Sequence, residues 1–162
     1  MHFSLIDKIV FLEPNQKITA VKSLSLAEEY LQDHFPKFPV MPGVLMLEAL
    51  TQASAWLIRV SEDFAHSIVV LKEAKSVKYA HFVQPGQTLT LTASIIKQDG
   101  QFTSLKAEGS VDGQTNLKAQ LVLYAYNTAD NKPELCTTDN KVIAELKQKL
   151  QILYQEPLTA SN

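Results

Sequence analysis

The residues best suited to chemistry lie in one segment, DHFPKFPVMPGVLMLEALTQ, residues 33–52. His34 carries an imidazole, which titrates near neutral pH and can serve as a general base. Glu48 lies among apolar neighbours, where desolvation favours the protonated carboxyl group and hence a role as general acid. Gln52 follows one helical turn later on the same face, so its amide can orient that carboxyl group. The segment therefore predicts paired acid and base chemistry.

Three prolines stiffen the loop between the histidine and the glutamate. Pro36, Pro39 and Pro42 each fix φ and push the preceding residue out of helical geometry, which predicts an extended approach to a helix. Gly43 then opens that helix, whose first N–H groups have no partner within the helix. Because glycine has no side chain to block approach, the N–H of Gly43 is a candidate donor to an oxygen that gains negative charge.

Each of these residues alone has a simpler structural interpretation. A loop histidine is more often a surface residue, and a helix glutamate is more often solvated. The combination favours function, because base, stiff loop, helix start, acid and amide all fall within residues 34–52.

Length and composition limit the class of protein. The chain has 162 residues, a mass of 18.1 kDa, a net charge of −2 and a sequence pI near 6.1. These values fit about one domain and provide no dense basic face for nucleic acid. Cys136 is the only cysteine, and the N-terminus lacks a secretory signal pattern, so we expect a cytoplasmic protein. The apolar stretch over residues 38–58 contains prolines and Glu48, and it predicts a buried helix, not a membrane span.

The first half of the chain predicts two strands and a long helix. The strands cover residues 3–12 and 17–24, and Ser25 and Glu28 have the spacing of a capping box, which predicts a short helical turn. Residues 44–60 are apolar on almost every helical face, so the rest of the fold should wrap around this helix.

The second half predicts an antiparallel meander and a separate tail. Alternating residues and Asp-Gly turns predict strands over residues 67–80, 87–97, 102–111 and 116–126. We therefore expect an α+β domain over residues 1–126, with an antiparallel sheet covering the long helix. Residues 127–138 have the polar composition of a linker, and residues 139–162 contain an amphipathic helix that Pro157 ends. That helix could dock on the domain's own surface or bind a partner.

Other chemical signatures are weak. His2, His66 and His81 lack metal-ligand spacing, so no metal site is expected. The sequence contains neither a G-x-S-x-G motif nor a glycine-rich phosphate loop, so it does not support a serine hydrolase or a nucleotide enzyme.

The proline-rich segment resembles a protein family, the (3R)-hydroxyacyl-acyl carrier protein dehydratases of type II fatty acid synthesis, which have the hotdog fold. Their pattern is H-F-P-x-x-P-x-x-P-G-V-L-x-x-E-A-x-x-Q. This chain is similar to it at His34, Phe35, Pro36, Pro39, Pro42, Gly43, Val44, Leu45, Glu48, Ala49 and Gln52. A weaker similarity extends over roughly residues 5–126, although Asp33 and Lys37 stand where the family usually has glycine.

The resemblance implies both an assembly and a reaction. A curved sheet would wrap the long helix, and two such sheets would join edge to edge in a homodimer or in a trimer of dimers. A (3R)-3-hydroxyacyl thioester on acyl carrier protein would be dehydrated to the trans-2-enoyl thioester, without a metal or redox cofactor. His34 would remove the α proton, the Gly43 N–H would stabilise the enolate-like oxygen, and Glu48 would protonate the departing hydroxyl. Gln52 would orient that acid, and the histidine and the acid would come from opposite subunits.

Further residues have weaker links to this reaction. Phe38 and Phe82 could line an acyl tunnel or could be ordinary core residues. Four lysines could dock an acidic carrier protein or could be ordinary solvated charges. These are Lys37, Lys72, Lys75 and Lys78.

Two other functions stay open from the sequence. One is a hotdog thioesterase, in which Glu48 activates water against the thioester carbonyl. The other is a hotdog subunit without catalysis, which binds acyl carriers or pairs with an active partner through the C-terminal helix.

Overall fold

The computed structural model describes residues 3–155, so His2 and Pro157 lie outside the described residues. The strands are β1 (Lys8–Glu13), β2 (Lys17–Ser23), β3 (Ile68–Tyr79), β4 (Thr88–Asp99), β5 (Phe102–Val111) and β6 (Gln114–Tyr126). The α-helices are α1 (Tyr30–Asp33), α2 (Gly43–Ser61) and α3 (Cys136–Leu153). Across the described part of the chain, no helix has both the length and the hydrophobicity to cross a membrane.

All six strands form one antiparallel sheet in the order β1-β2-β4-β5-β6-β3. The hairpin between β5 and β6 turns at Asp112 and Gly113, which have φ values of 49° and 79°. Asp-Gly pairs tolerate such positive φ angles, as a tight hairpin requires, so the predicted meander is confirmed. β1 and β3 are the edge strands of this sheet.

One face of the sheet packs on α2, which contacts five of the six strands, β2 to β6. In β4, the alternating residues Leu89, Leu91 and Ala93 are fully buried at 0% exposure. The helix contributes Leu50 and Leu57, also at 0% exposure. Each such leucine stabilises the fold by roughly 1.5–3 kcal/mol relative to an exposed one. The predicted α+β arrangement, a sheet that covers a long apolar helix, is therefore confirmed.

α3 docks on the domain, as one of the two sequence interpretations expected. Leu153 is buried, and Ile143, Leu146 and Leu150 pack against the core of the domain. The helix begins at Cys136, inside the segment whose composition is typical of a linker, and short 3-10 turns occupy residues 128–130 and 133–135.

The predicted capping box at Ser25 does not form. The Ser25 hydroxyl accepts a hydrogen bond from the N–H of Ala27 at 3.1 Å, as expected of a capping residue. The Glu28 carboxylate instead accepts a hydrogen bond from Nζ of Lys22 at 2.8 Å, and α1 starts only at Tyr30. Because Lys22 is almost fully buried, its charge requires a nearby carboxylate, and this ion pair takes precedence over the local cap.

Candidate active site

His34 lies at the end of α1, where the proline-stiffened loop begins. It is partly buried, and its ring packs against Phe35 with 4.4 Å between the ring centroids. Phe35 has a φ of 49°, in the left-handed region that bulky residues rarely occupy. The N–H of Phe38 donates to the carbonyl of Phe35 at 2.7 Å and holds this turn in place. A strained residue beside a candidate base favours a functional interpretation of the loop.

Gly43 is the first residue of α2, and its surroundings are tight on one side. The N–H groups of Leu45 and Met46 both donate to the carbonyl of Pro42, at 2.9 and 3.1 Å. The N–H of Gly43 makes no such backbone hydrogen bond within residues 3–155. A β-carbon at this position would lie 3.1 Å from Cε1 of Tyr79. Glycine therefore leaves room for an oxygen next to this N–H.

Gly43 and Tyr79 border a cavity of about 200 Å³, whose lining also includes His81 and Phe82. Phe82 is 62% exposed and Phe38 is 47% exposed, and their rings meet edge to face with 5.9 Å between centroids. The interpretation of these two phenylalanines as ordinary core residues is wrong, because both side chains lie at the surface. Their role in an acyl tunnel stays a prediction. Tyr79, which no sequence pattern singled out, is the residue that closes one side of the Gly43 position.

Glu48 lies in the second turn of α2 and is half-buried. Its Oε1 accepts a hydrogen bond from Nε2 of Gln52 at 3.0 Å, so the contact predicted from the four-residue spacing is present. Gln52 is held in turn by the N-terminal segment: its Oε1 accepts from the N–H of Leu5 at 2.8 Å, and its Nε2 also donates to the carbonyl of Phe3 at 3.1 Å. The backbone ahead of β1 thus positions the amide, and the amide positions the carboxyl group.

Glu48 faces a second cavity, of about 240 Å³, between α2, β3, α3 and the N-terminal segment. The sequence did not place Arg59 or Lys149 near the candidate acid, although both line this cavity. One feature of the sequence could have drawn attention to Arg59: it and Glu48 are the two charged residues in the apolar segment 44–60.

One chain does not place the predicted acid and base around the same cavity. Glu48 and Gln52 line the larger cavity and Gly43 lines the smaller one, whereas His34 lines neither of the two. Within a single copy of residues 3–155, the imidazole of His34 therefore does not line the cavity that the Glu48 carboxyl group faces.

The four candidate docking lysines are exposed. Lys72, Lys75 and Lys78 lie on β3, and Lys37 lies on the proline-rich loop. Lys75 pairs with Glu73 at 3.2 Å, but both side chains are about half exposed, so the pair contributes little stability. Their exposure is compatible with solvated charges and with carrier docking alike, and the docking role stays a prediction.

Comparisons with known proteins identify relatives that match about three quarters of the chain. The FabA-like domain family matches residues 1–120. The 3-hydroxyacyl-[acyl-carrier-protein] dehydratase FabZ of Ruminiclostridium cellulolyticum is 40% identical over 119 residues, covering 74% of this chain and 84% of that protein. The protein of the same name from Oceanobacillus iheyensis is 37% identical over 119 residues, covering 74% of this chain and 85% of that protein.

A solved structure agrees with these relatives on the fold. The dehydratase heterocomplex ApeI:P from Xenorhabdus doucetiae aligns with a TM-score of 0.63 and 19% identity, over 82% of this chain and 89% of that chain. The predicted hotdog fold is confirmed. The chain belongs to the FabA-like family, as its proline-rich segment indicated, and is related to the dehydratases named FabZ.

Proposed function

We propose that this protein is a 3-hydroxyacyl-[acyl-carrier-protein] dehydratase of type II fatty acid synthesis. It converts a (3R)-3-hydroxyacyl thioester into the trans-2-enoyl thioester and water. The FabZ relatives support this assignment. The structural observation that carries it is the carboxyl group of Glu48, which faces a cavity and is held by the Gln52 amide at 3.0 Å.

The reaction requires a base, an acid and a donor to the thioester oxygen. His34 takes the proton from the carbon next to the thioester carbonyl, and the electron pair of that C–H bond moves towards the carbonyl oxygen. The Gly43 N–H donates to this oxygen, a contribution of about 3 kcal/mol for one such donor. Glu48, as the general acid, gives a proton to the 3-hydroxyl as the C–O bond breaks, so water leaves and the double bond forms. Return of a proton from His34 to Glu48 through solvent restores both groups.

A second copy of the chain would complete the site. In one chain His34 does not line the cavity of Glu48, and the outer edge of β3 has no strand partner within residues 3–155. An exposed edge of 12 residues can pair with the same edge of another copy. Apolar side chains on and near the His34 loop are exposed and could be buried by such pairing: Phe35, Phe38, Val44, Tyr79 and Phe82. The active form would be a homodimer, or a trimer of such dimers, with His34 and Glu48 supplied by different copies.

Acyl carrier protein would deliver the substrate in the cytoplasm. The names of the FabZ relatives specify substrates linked to this carrier. The exposed lysines of β3 and Lys37 would provide positive charge for an acidic carrier surface. Cys136 is free and exposed, which is compatible with a reducing compartment.

Hydration of an enoyl thioester tests the assignment in the reverse direction. The purified protein should consume the conjugated double bond, which is followed by its ultraviolet absorbance. His34→Ala and Glu48→Gln should each reduce this rate by about a hundredfold or more. Both variants should keep the circular dichroism spectrum and unfolding midpoint of the wild type.

Normal turnover in either variant would refute the proposed roles. Release of free thiol from a saturated acyl thioester, without hydration, would identify a thioesterase instead. Stable binding of acyl carrier protein without any turnover would identify a subunit without catalysis.

A further inference from the structure

One stripe of α2 connects Glu48 to Arg59. Residues 48, 52, 55 and 59 follow three- and four-residue spacing, so they share one face of the helix, and all four line the larger cavity. Glu48 and Arg59 are separated by about 16 Å along the helix axis, or about three turns. The cavity therefore follows the helix from a carboxyl group to a guanidinium group.

The charge of Arg59 has no counter-ion in the described chain. Its Nε is buried without a hydrogen-bond partner, and no carboxylate within residues 3–155 forms an ion pair with it. Burial lowers the pKa of Arg59 to about 10, so the group is still a cation at neutral pH. The guanidinium lies over the ring of Trp56, 5.3 Å from its centroid, which orients the group. Because Nε has no partner, an anion that reaches the Arg59 guanidinium would gain charge-assisted hydrogen bonds.

α3 adds a second cation and an apolar surface to the same cavity. Lys149 lines the cavity and, like Arg59, takes part in no ion pair among the described residues. Leu146 of α3, together with Val69 and Trp56, contributes apolar side chains to the lining of the cavity. α3 begins after residue 120, where the family match ends, so this wall is an addition to the matched domain.

We propose that the cavity binds an acyl chain that ends in a carboxylate, with this tail held by Arg59 and Lys149. The inference rests on the proposed function, which places the reacting end of the chain at Glu48. The methylene groups would lie against the side chains of Trp56, Val69 and Leu146. A methyl-ended chain would leave both cations unpaired and would desolvate them further. The preferred substrates are therefore monothioesters of dicarboxylic acids.

Two matched probes test this inference without any turnover. The N-acetylcysteamine thioesters of decanoic acid and of decanedioic acid, the latter with one free carboxyl group, differ only at the far end. Isothermal titration calorimetry of the full-length protein would measure the Kd of each. We expect the carboxylate-ended probe to bind at least about tenfold more tightly, because it gains charge-assisted hydrogen bonds.

Substitutions assign that preference to the two cations. Arg59→Met and Lys149→Met should each bring the two Kd values closer together. Lys141→Met is the matched control, since Lys141 is an exposed lysine of α3 that does not line the cavity, and it should keep the wild-type preference. Lys149 lies on α3, outside the sheet and α2. Its variant can therefore still test the preference if Arg59→Met fails to fold.

We call the carboxylate position at Arg59 and Lys149 the tail site. Two results in the wild type would overturn it: equal Kd values for the two probes, or no binding of either probe. A preference that survives both Lys149→Met and a folded Arg59→Met would also overturn it. Tail preference without enoyl hydration would support the tail site and contradict the dehydratase assignment. Hydration of methyl-ended enoyl thioesters without any tail preference would overturn the tail site alone.

Discussion

The side-chain amide of Gln52 donates to Oε1 of Glu48 at 3.0 Å and accepts from the N–H of Leu5 at 2.8 Å. One residue thus joins the candidate acid on α2 to the backbone that precedes β1. A carboxyl group held in this way samples fewer orientations than a free one, which favours proton transfer to a correctly placed hydroxyl. We therefore regard Gln52 as a positioning residue.

Substitution of Gln52 by leucine should lower kcat by about tenfold, because the carboxyl group of Glu48 loses a hydrogen bond of ordinary strength. KM should change far less, since Gln52 is not expected to bind the substrate. Steady-state hydration kinetics would separate the two constants. Ser54→Ala is a suitable control, because Ser54 also forms a side-chain hydrogen bond in α2, to the carbonyl of Leu50, but lines neither cavity. An equal loss of kcat in both variants would show a general effect on α2 instead of positioning.

Gly43→Ala should impair catalysis without destabilising the fold. The new methyl group would lie 3.1 Å from Cε1 of Tyr79, so it would crowd the space beside the Gly43 N–H. We expect kcat/KM to fall by about tenfold or more, while Tm changes little, because the ring of Tyr79 is half exposed and can shift to relieve the close contact. Adding Tyr79→Leu to Gly43→Ala should recover part of the activity. Full activity in the single variant would contradict the role of this N–H.

We expect Asp139 to make the docking of α3 dependent on pH. Burial of this carboxyl group opposes its ionisation. Four hydrogen bonds act in the other direction, from the hydroxyls of Ser67 and Thr128 and from the backbone N–H groups of Thr128 and Ala129. These bonds outweigh burial and lower the pKa of Asp139 to about 2. A carboxyl group whose pKa is lower in the folded protein than in the unfolded chain stabilises the folded state. This stabilisation is fully present when the pH is above the pKa of the unfolded chain, which is near 4. That stabilisation is lost as the pH falls from about 4 towards the folded value.

Asp139→Asn should therefore unfold at lower urea concentration than the wild type at neutral pH. The difference between the two midpoints should shrink as the pH falls from about 4 towards 2, because the unfolded chain takes up a proton at Asp139 in this range before the folded protein does. Glu145→Gln, an exposed carboxylate on the same helix, should show no difference at any pH. A constant difference for Asp139→Asn across this range would mean that its charge does not hold α3.

Most of the fold was predictable because burial follows the periodicity of each element. The alternation of Leu89 and Leu91 in the sequence corresponds to full burial in β4, and the predicted helix over residues 44–60 differs from α2 by one residue at each end. The capping box failed because Lys22 offers Glu28 an ion pair, which the four-residue pattern does not contain. A buried charge elsewhere in the fold can thus override a local signal.

The candidate site was less predictable, since its parts come from distant segments. The contact between Gln52 and Glu48 depends on helical spacing alone, and the structure contains it. The position of Tyr79 beside Gly43 depends on how β3 packs on α2, which periodicity does not specify. The same holds for Lys149, which reaches the Glu48 cavity only because α3 docks there.

Mixing two inactive variants tests most directly whether His34 and Glu48 act together from different subunits. In a dimer of one His34→Ala chain and one Glu48→Gln chain, one site carries both defects and the other is intact. Random exchange of subunits should therefore restore about one quarter of wild-type hydration activity from two preparations that are each inactive. Proven heterodimers without any recovered activity would contradict the shared site, because they would place the acid and the base in the same chain or remove one of them from the reaction.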